Sequence, residues 1–308
     1  MKVYSSLEEF PRLEKAVVTI GTFDGVHIGH QRIIRRLLEI AREQQGETVV
    51  LTFFPHPRMV LQPEDNSLQL ITTLRERQAL LSRFGVEHLI VQPFNKEFSR
   101  ITAAGFVRDL LVKRVGMRTL VIGYDHHFGR NREGSFKDLE EMAPLYGFGL
   151  EEIPKQVVNE LAVSSTKIRA ALLNGDMDAA NALLGHDFTL TGNVVQGDRL
   201  GRTIGFPTAN LDIPESYKLI PADGIYAVWA EVSGVRHRGM LYIGNRPVVN
   251  GRFRNIEVNL FDFDSDIYGK EVTVHIKSRI RDDRNVGSME ELRLLLEEDR
   301  RSATKILS

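Results

Sequence analysis

Two hydrophobic periods divide this chain and limit what it can fold into. Up to about residue 184, short β-branched runs alternate with stretches whose apolar residues recur at helical spacing. Beyond Gly185, short runs of strict alternation take over. Strand and helix in turn is the pattern of a parallel sheet covered by helices. Val17-Val18-Thr19-Ile20 reads as the first strand, and Ile34, Leu37, Leu38 and Ala41 give the next stretch one apolar helical face. A strand over 48–51 follows, then a helix over 74–84, a strand over 88–91, a helix over 103–112 and a strand over 119–122. The sheet is therefore doubly wound α/β. Its ligand belongs outside the carboxyl ends of the strands, where the loops carrying Phe23, His56 and Asp125 converge. A helical stretch over 164–184 closes this half.

The later runs, such as Ile225-Tyr226-Ala227-Val228-Trp229-Ala230 and Glu271-Val272-Thr273-Val274-His275-Ile276, are separated by glycine-bearing turns and predict a small antiparallel β-barrel. Ser288-Met289-Glu290-Glu291 has the spacing of a capping box, opening a C-terminal helix whose Leu292, Leu295 and Leu296 pack on that barrel. At 308 residues the chain is longer than one core usually supports, and the change of period sets domains at 1–185 and 186–308. A formal net charge of -1 gives no general attraction for nucleic acid, so a phosphate ligand needs local donors. The absence of cysteine removes disulfides, thiolate metal sites and a cysteine nucleophile, and fits a reducing compartment. No apolar run approaches the roughly 20 residues of a membrane span, and the N-terminus carries no leader pattern. The expectation is a cytoplasmic protein with no membrane or nucleic-acid partner; its oligomeric state is not legible.

Gly21-Thr22-Phe23-Asp24-Gly25-Val26-His27-Ile28-Gly29-His30 lies directly between the first strand and the first helix. Glycines there let the backbone approach a phosphate, and a helix N-terminus offers unpaired N–H groups and the positive end of its dipole. His27 and His30, three apart, can face one phosphoryl group as it gathers charge. The His-x-Gly-His pattern after a strand resembles the signature of the nucleotidylyltransferase superfamily, and the longer form is similar to its FAD synthetase branch. The resemblance makes Gly21, Phe23, Asp24 and Gly29 parts of an ATP site.

Three more segments carry the same resemblance. Ser164-Ser165-Thr166-Lys167-Ile168-Arg169 looks like the segment that closes such sites, where hydroxyls hold phosphates and the Arg169 fork neutralises leaving pyrophosphate. Phe54-Pro55-His56-Pro57 resembles the family's Pro-His-Pro loop, a rigid turn that can wall an aromatic substrate. Gly123-Tyr124-Asp125-His126-His127-Phe128-Gly129 resembles a strand-end stretch in which Asp125 bonds ribose or ribityl and Phe128 lines the flavin pocket. His126 stands where the family more often has an aromatic residue.

The second half opens with glycines at 197, 201 and 205 around Arg202, spaced like a loop that wraps phosphates, with no Gly-Lys-Ser/Thr of a P-loop. In Phe206-Pro207-Thr208-Ala209-Asn210, Thr208 and Asn210 are two apart. In an extended segment they share a face and can offer hard oxygens to Mg²⁺ beside an ATP phosphate. This resembles the Pro-Thr-Ala-Asn motif of riboflavin kinases. The resemblance places the general base at Glu257 and Arg281 near the flavin, and it includes Ile243-Gly244-Asn245-Arg246-Pro247. Val248 and Asn259 depart from it, standing where Thr and His are usual.

Both motif sets occur in the order of the prokaryotic bifunctional riboflavin kinase/FAD synthetase family. That implies a Rossmann-like nucleotidylyltransferase domain followed by a riboflavin kinase barrel, ATP as co-substrate, Mg²⁺ as cofactor, and riboflavin, FMN and FAD as substrates or products. Two rivals fit less of the chain. Thr208, Asn210 and Glu257 count against an adenylyl- or cytidylyltransferase whose barrel only binds a ligand. The absence of a basic-aromatic strip counts against a flavin-binding regulator acting on RNA.

Overall fold

The computed structural model describes every residue except 66, 124–126, 154–162, 198–199, 245–253 and 285. The chain divides into two compact units, Met1–Ser164 and Ser165–Ser308. The first is built on six parallel strands: β1 (Lys2–Tyr4), β2 (Ala16–Ile20), β3 (Glu47–Phe54), β4 (His88–Pro93), β5 (Met117–Gly123) and β6 (Gly149–Ile153), ordered β1-β4-β3-β2-β5-β6. Helix α1 (Ile28–Gln44) joins β2 to β3, and α2 (Pro57–Leu61) and α3 (Leu74–Arg83) lie between β3 and β4.

Every residue of β2 is buried. Ala16, Val18 and Ile20 face one core with Phe106 and Leu111, while Val17 faces the other with Leu37 and Leu81. Burial on both faces is why the central strands read as continuous apolar runs. The two edge strands lack that signal. β1 has three residues, two of them exposed, and β6 reads Gly-Leu-Glu-Glu-Ile, with charge on the edge that discourages further pairing. The helix expected over 103–112 is a short α-helical turn, Ala103–Gly105, running into a wider-wound helix, Phe106–Val115. It stops at Gly116, whose φ is 82° and where a Cβ would lie 1.9 Å from the Leu13 carbonyl oxygen, so only glycine fits.

The expected helical stretch over 164–184 is two helices, Ser165–Leu173 and Met177–Leu184. Gly175 (φ 74°) separates them, and Asp176 caps the second through Ala179 N–H. Both belong to the second unit. Ala222 N–H donates to Leu172 O, and Asn181 binds the carbonyls of Ile276 and Lys277, so the unit starts well ahead of the change in hydrophobic period.

The rest of the second unit is a closed antiparallel barrel of β7 (Phe188–Val195), β8 (Ala209–Asp212), β9 (Gly224–Val232), β10 (Val235–Gly244), β11 (Asn255–Leu260) and β12 (Glu271–Arg281), ordered β10-β11-β8-β7-β12-β9 and closed by β9 on β10. Leu190, Val228, Leu241, Val258, Val274 and Ile276 are fully buried inside it. The C-terminal helix, Met289–Ile306, covers part of its outer face: Ala303, Leu307 and Leu296 pack with Ile225, Ala227 and Met240. Ser288 Oγ accepts from Glu291 N–H, as the capping box requires, but the Glu291 carboxylate takes the N–H of Gly287.

Candidate active sites

In the first unit β3 and β4 lie on one side of β2, with β5 and β6 on the other. The strand order therefore reverses at β2, and the loop leaving its carboxyl end carries residues 21–27. Phe23, Gly25 and Val26 all have positive φ. For a buried β-branched residue such as Val26 that conformation is strained, and strain of this kind gathers at functional sites. The loop is over-determined. Val26 N–H binds Phe23 O, Gln31 Nε2 donates to Val26 O at 2.8 Å, and Gly25 N–H donates to Thr72 Oγ1 at 3.0 Å.

His27 caps α1, its Nδ1 accepting from His30 N–H at 3.3 Å, so a neutral His27 carries its proton on Nε2. The two imidazoles stack with centroids 3.7 Å apart and planes 15° from parallel. Phe23, 1% exposed, sets its ring 5.0 Å from that of His30 on the other side. His30 Nδ1 is buried with no hydrogen-bond partner among the described residues. Loss of hydration, then the charges of His27 and Arg77, hold His30 well below an imidazole's ordinary 6.5. Gly29 keeps the pair in place: a Cβ there would lie 3.2 Å from the His27 ring and 3.1 Å from Val163 Cγ1. Gly21 likewise abuts the Phe23 ring.

The Asp24 carboxylate is turned into the protein. It accepts from Ile71 N–H, Thr72 N–H and Thr72 Oγ1 at 3.0–3.2 Å and is 1% exposed. It thereby ties the signature loop to the segment that opens α3, whose Thr73–Glu76 capping box is complete in both directions. The fourth residue of α3, Arg77, is buried and reaches Thr52 Oγ1 at 3.5 Å.

Pro57 opens α2 at the carboxyl end of β3, and His56 caps it through Nδ1 and Arg58 N–H at 3.2 Å. Phe54 and Pro55 precede this cap, so all four residues of the loop stand at the carboxyl end of β3. Phe128 is 8% exposed and packs toward Phe106 in the core, bridged to Gly134. Asp125 and His126 lie outside the described residues, as do residues 245–248. Ser164 ends the first unit. Ser165, Thr166 and Arg169 stand in the first turns of the helix that opens the second.

On the barrel, β8 and β11 pair Asn210 with Glu257 and Ala209 with Val258. Residues directly opposite share a face, so Asn210 and Glu257 lie side by side on the outer surface, while Val258 points inward. Thr208 Oγ1 donates to Glu257 Oε2 at 2.8 Å, and Asn255 Nδ2 donates to Oε1. Both carboxylate oxygens are thus oriented. A threonine hydroxyl has one proton and two lone pairs; with the proton committed to Glu257, the oxygen is left to face a cation. A Cβ on Gly197 would fall 2.1 Å from Asn210 Nδ2, so the glycine loop passes directly over that side chain. Few protein oxygens, with room for phosphates and water, suit Mg²⁺. The loop from Gly201 closes on itself through Phe206 N–H to Gly201 O at 2.8 Å. Arg202, Gly205 and Pro207 are exposed along it. Arg281 forms a two-pronged pair with Asp299 of the C-terminal helix, at 2.8 and 2.7 Å.

Thr72 and Arg77 escaped the sequence reading because they act across gaps of sequence, and Asn255, two residues before Glu257, carries no pattern that marks it; Asn259 was read only as a departure from the motif, its bond to Pro207 being 52 residues away. Only the capping-box pattern Thr73-x-x-Glu76 marks any of this locally.

The comparisons with known proteins match both parts of the chain. A family model described as FAD synthetase matches residues 9–167, and one described as riboflavin kinase matches 184–307. The Escherichia coli (strain K12) protein named bifunctional riboflavin kinase/FMN adenylyltransferase is 37% identical over 301 residues, covering 97% of this chain and 94% of its own. The Bacillus subtilis protein of the same name is 36% identical over 301 residues, covering 96% and 93%. A solved structure from Streptococcus pneumoniae, called a macrolide-efflux protein, superposes with a TM-score of 0.87 at 33% identity and covers 98% of both chains. Among the described residues no helix here is long and apolar enough to cross a membrane. With two family models in tandem and relatives of one name along nearly its whole length, the chain belongs to the bifunctional riboflavin kinase/FMN adenylyltransferase family.

Proposed function

We propose that the chain makes both flavin cofactors, phosphorylating riboflavin on the barrel of the second unit and adenylylating FMN on the parallel sheet of the first. The observation that carries this reading is the convergence of two groups of signature residues, one in each unit: the imidazoles of His27 and His30 stack at 3.7 Å, and Thr208 meets Glu257 at 2.8 Å.

In the first step Glu257 takes the proton of the riboflavin 5′-hydroxyl as its oxygen bonds the γ-phosphorus of ATP and ADP departs. Glycines 197, 201 and 205, with Arg202 and Pro207, form the loop along the ATP phosphates. Mg²⁺, held by Thr208 and Asn210, would offset the triphosphate charge. Arg281 frames the flavin side through its hold on the C-terminal helix.

In the second step an FMN phosphate oxygen attacks the α-phosphorus of ATP, and pyrophosphate leaves. His27 donates from Nε2, and His30 backs it within the same enclosure. Gly21, Gly29 and the first turn of α1 admit the phosphates, while Phe23 and Asp24 fix the loop that presents them. Ser164, Ser165, Thr166 and Arg169 bind the leaving pyrophosphate. Phe54, Pro55, His56 and Pro57 wall the flavin, with Asp125 and Phe128 beside them. Both steps belong in the cytoplasm and need no macromolecular partner.

Purified protein given riboflavin, ATP and Mg²⁺ should yield FMN, then FAD and pyrophosphate. A series that stops at FMN refutes the two-step reading.

A further inference from the structure

We infer that Asn259 is a positioning residue of the phosphoryl-transfer site, its side-chain amide fixing the Pro207 carbonyl and, through that peptide, the Thr208 hydroxyl against Glu257. The inference rests on the reading that Thr208, Asn210 and Glu257 form that site.

The β8–β11 ladder pairs Asn210 with Glu257 and Ala209 with Val258, and there the backbone pairing ends. One position further along, the connection passes to a side chain: Asn259 Nδ2 donates to Pro207 O at 2.7 Å. Asn259 is two residues from Glu257 on one strand, so both project from the same outer face. It stands opposite Met240 and is 4% exposed, at the end of that face where Met240, Phe206 and Phe261 form an apolar cluster. An amide is costly there unless it is bonded, and its Oδ1 has no partner among the described residues. An aliphatic side chain would suit the burial better. What the amide adds is the Nδ2 bond.

That bond matters because Pro207 has no N–H of its own and sits between two anchored residues. Phe206 is held by its buried ring and by its N–H on Gly201 O, and Thr208 is held by Glu257. A peptide unit is planar, so fixing the Pro207 oxygen fixes the plane that carries the nitrogen and Cα of Thr208. Asn259 touches neither substrate nor cation; it sets the residue that meets both.

The test compares Asn259→Leu and Asn259→Asp, which both remove the donor, with Asn259→His, whose ring N–H can restore it, all in the full-length chain. Without nucleotide, hydrogen–deuterium exchange in residues 204–210 should quicken about tenfold in the first two variants. Their kcat for riboflavin phosphorylation should fall about tenfold with KM for riboflavin unchanged, and adenylylation of added FMN should stay at wild-type rate. Asn259→His should recover both exchange and kcat. Should the leucine variant fail to fold, the aspartate variant, of unchanged size, decides. Wild-type exchange and kcat in a folded donor-less variant overturn the inference, and so does a loss that histidine leaves unrepaired. Thr208→Val separates the two levels. If it also phosphorylates riboflavin normally, the site reading fails; if it alone is inactive, only the role of Asn259 fails.

Discussion

The His27 and His30 imidazoles stack at 3.7 Å, and His27 Nδ1 accepts the backbone N–H of His30, so each ring fixes the place of the other at the start of α1. Removing either ring should collapse the enclosure that both share with Phe23. His30→Ala is expected to lower FAD formation from FMN by about 10²–10³-fold while leaving riboflavin phosphorylation intact, since the loss is of groups aimed at developing charge. Separate assays with riboflavin and with FMN check this, and equal loss in both would contradict two independent sites.

The same enclosure makes a pH prediction. His30 is held well below its ordinary value of 6.5, first by lost hydration and then by the charges of His27 and Arg77. An unfolded chain therefore takes up a proton as pH falls through about 6.5 while the folded one does not. Folding stability from this group is present above that value and declines below it, until the depressed folded pKa is reached. Urea unfolding of the wild type should show this decline on acidification, and His30→Asn should flatten it. A decline of the same size in the variant assigns the effect to other groups.

Asp24 holds the signature loop to residues 71 and 72 through three accepted hydrogen bonds. Asp24→Ala leaves those donors buried without a partner, at about 1–3 kcal/mol each, so the first unit should lose roughly 3 kcal/mol or more. Reduced FAD formation should track that loss. The barrel's FMN formation should persist at temperatures where FAD formation has gone, as a thermal inactivation series on both activities would show.

Much of this was legible in the sequence because signal and structure are local in the central strands. Val17, Val18 and their neighbours in β3 and β5 are buried on both faces and read as apolar runs, and the glycine signature falls at the end of β2 where the strand order turns. The edge strands were not legible, since a run of three residues, two of them exposed, and an acidic pentapeptide carry no period. Nor was the break at Gly175, because a single glycine inside a helical pattern is often tolerated. The supports of each site, Asp24 on Thr72 and Asn259 on Pro207, join residues 48 and 52 apart in sequence, and only folding brings them together.

Glu257 receives Thr208 Oγ1 on one oxygen and Asn255 Nδ2 on the other, which aims the carboxylate proposed as the base. Glu257→Gln keeps the shape and removes the proton acceptor, so FMN formation should drop about 10²–10⁴-fold with FAD formation from FMN unchanged. Asn255→Ala removes only the aim, and a smaller loss of kcat is expected. Rates of FMN production for the two variants, compared at saturating ATP, give the order; a larger loss in Asn255→Ala would shift the base elsewhere.

The pair that fastens the C-terminal helix to β12 is asymmetric: the Asp299 side chain is 2% exposed and that of Arg281 is 21% exposed. Removing the arginine strands a buried carboxylate, whereas removing the aspartate leaves a guanidinium that can turn toward water. Arg281→Ala should therefore cost the barrel about 3–5 kcal/mol and Asp299→Ala distinctly less. Replacing both with apolar residues of similar size, Arg281→Met with Asp299→Leu, should recover most of the stability, because the desolvation of both charges disappears together with their attraction. Urea unfolding of the four proteins measures these terms, and the riboflavin KM of the stable double variant isolates what Arg281 does for the flavin. A KM equal to wild type would make Arg281 a fastener of the helix alone, and a raised KM in a fully stable barrel would mean that the guanidinium, or the helix position it sets, contributes to flavin binding.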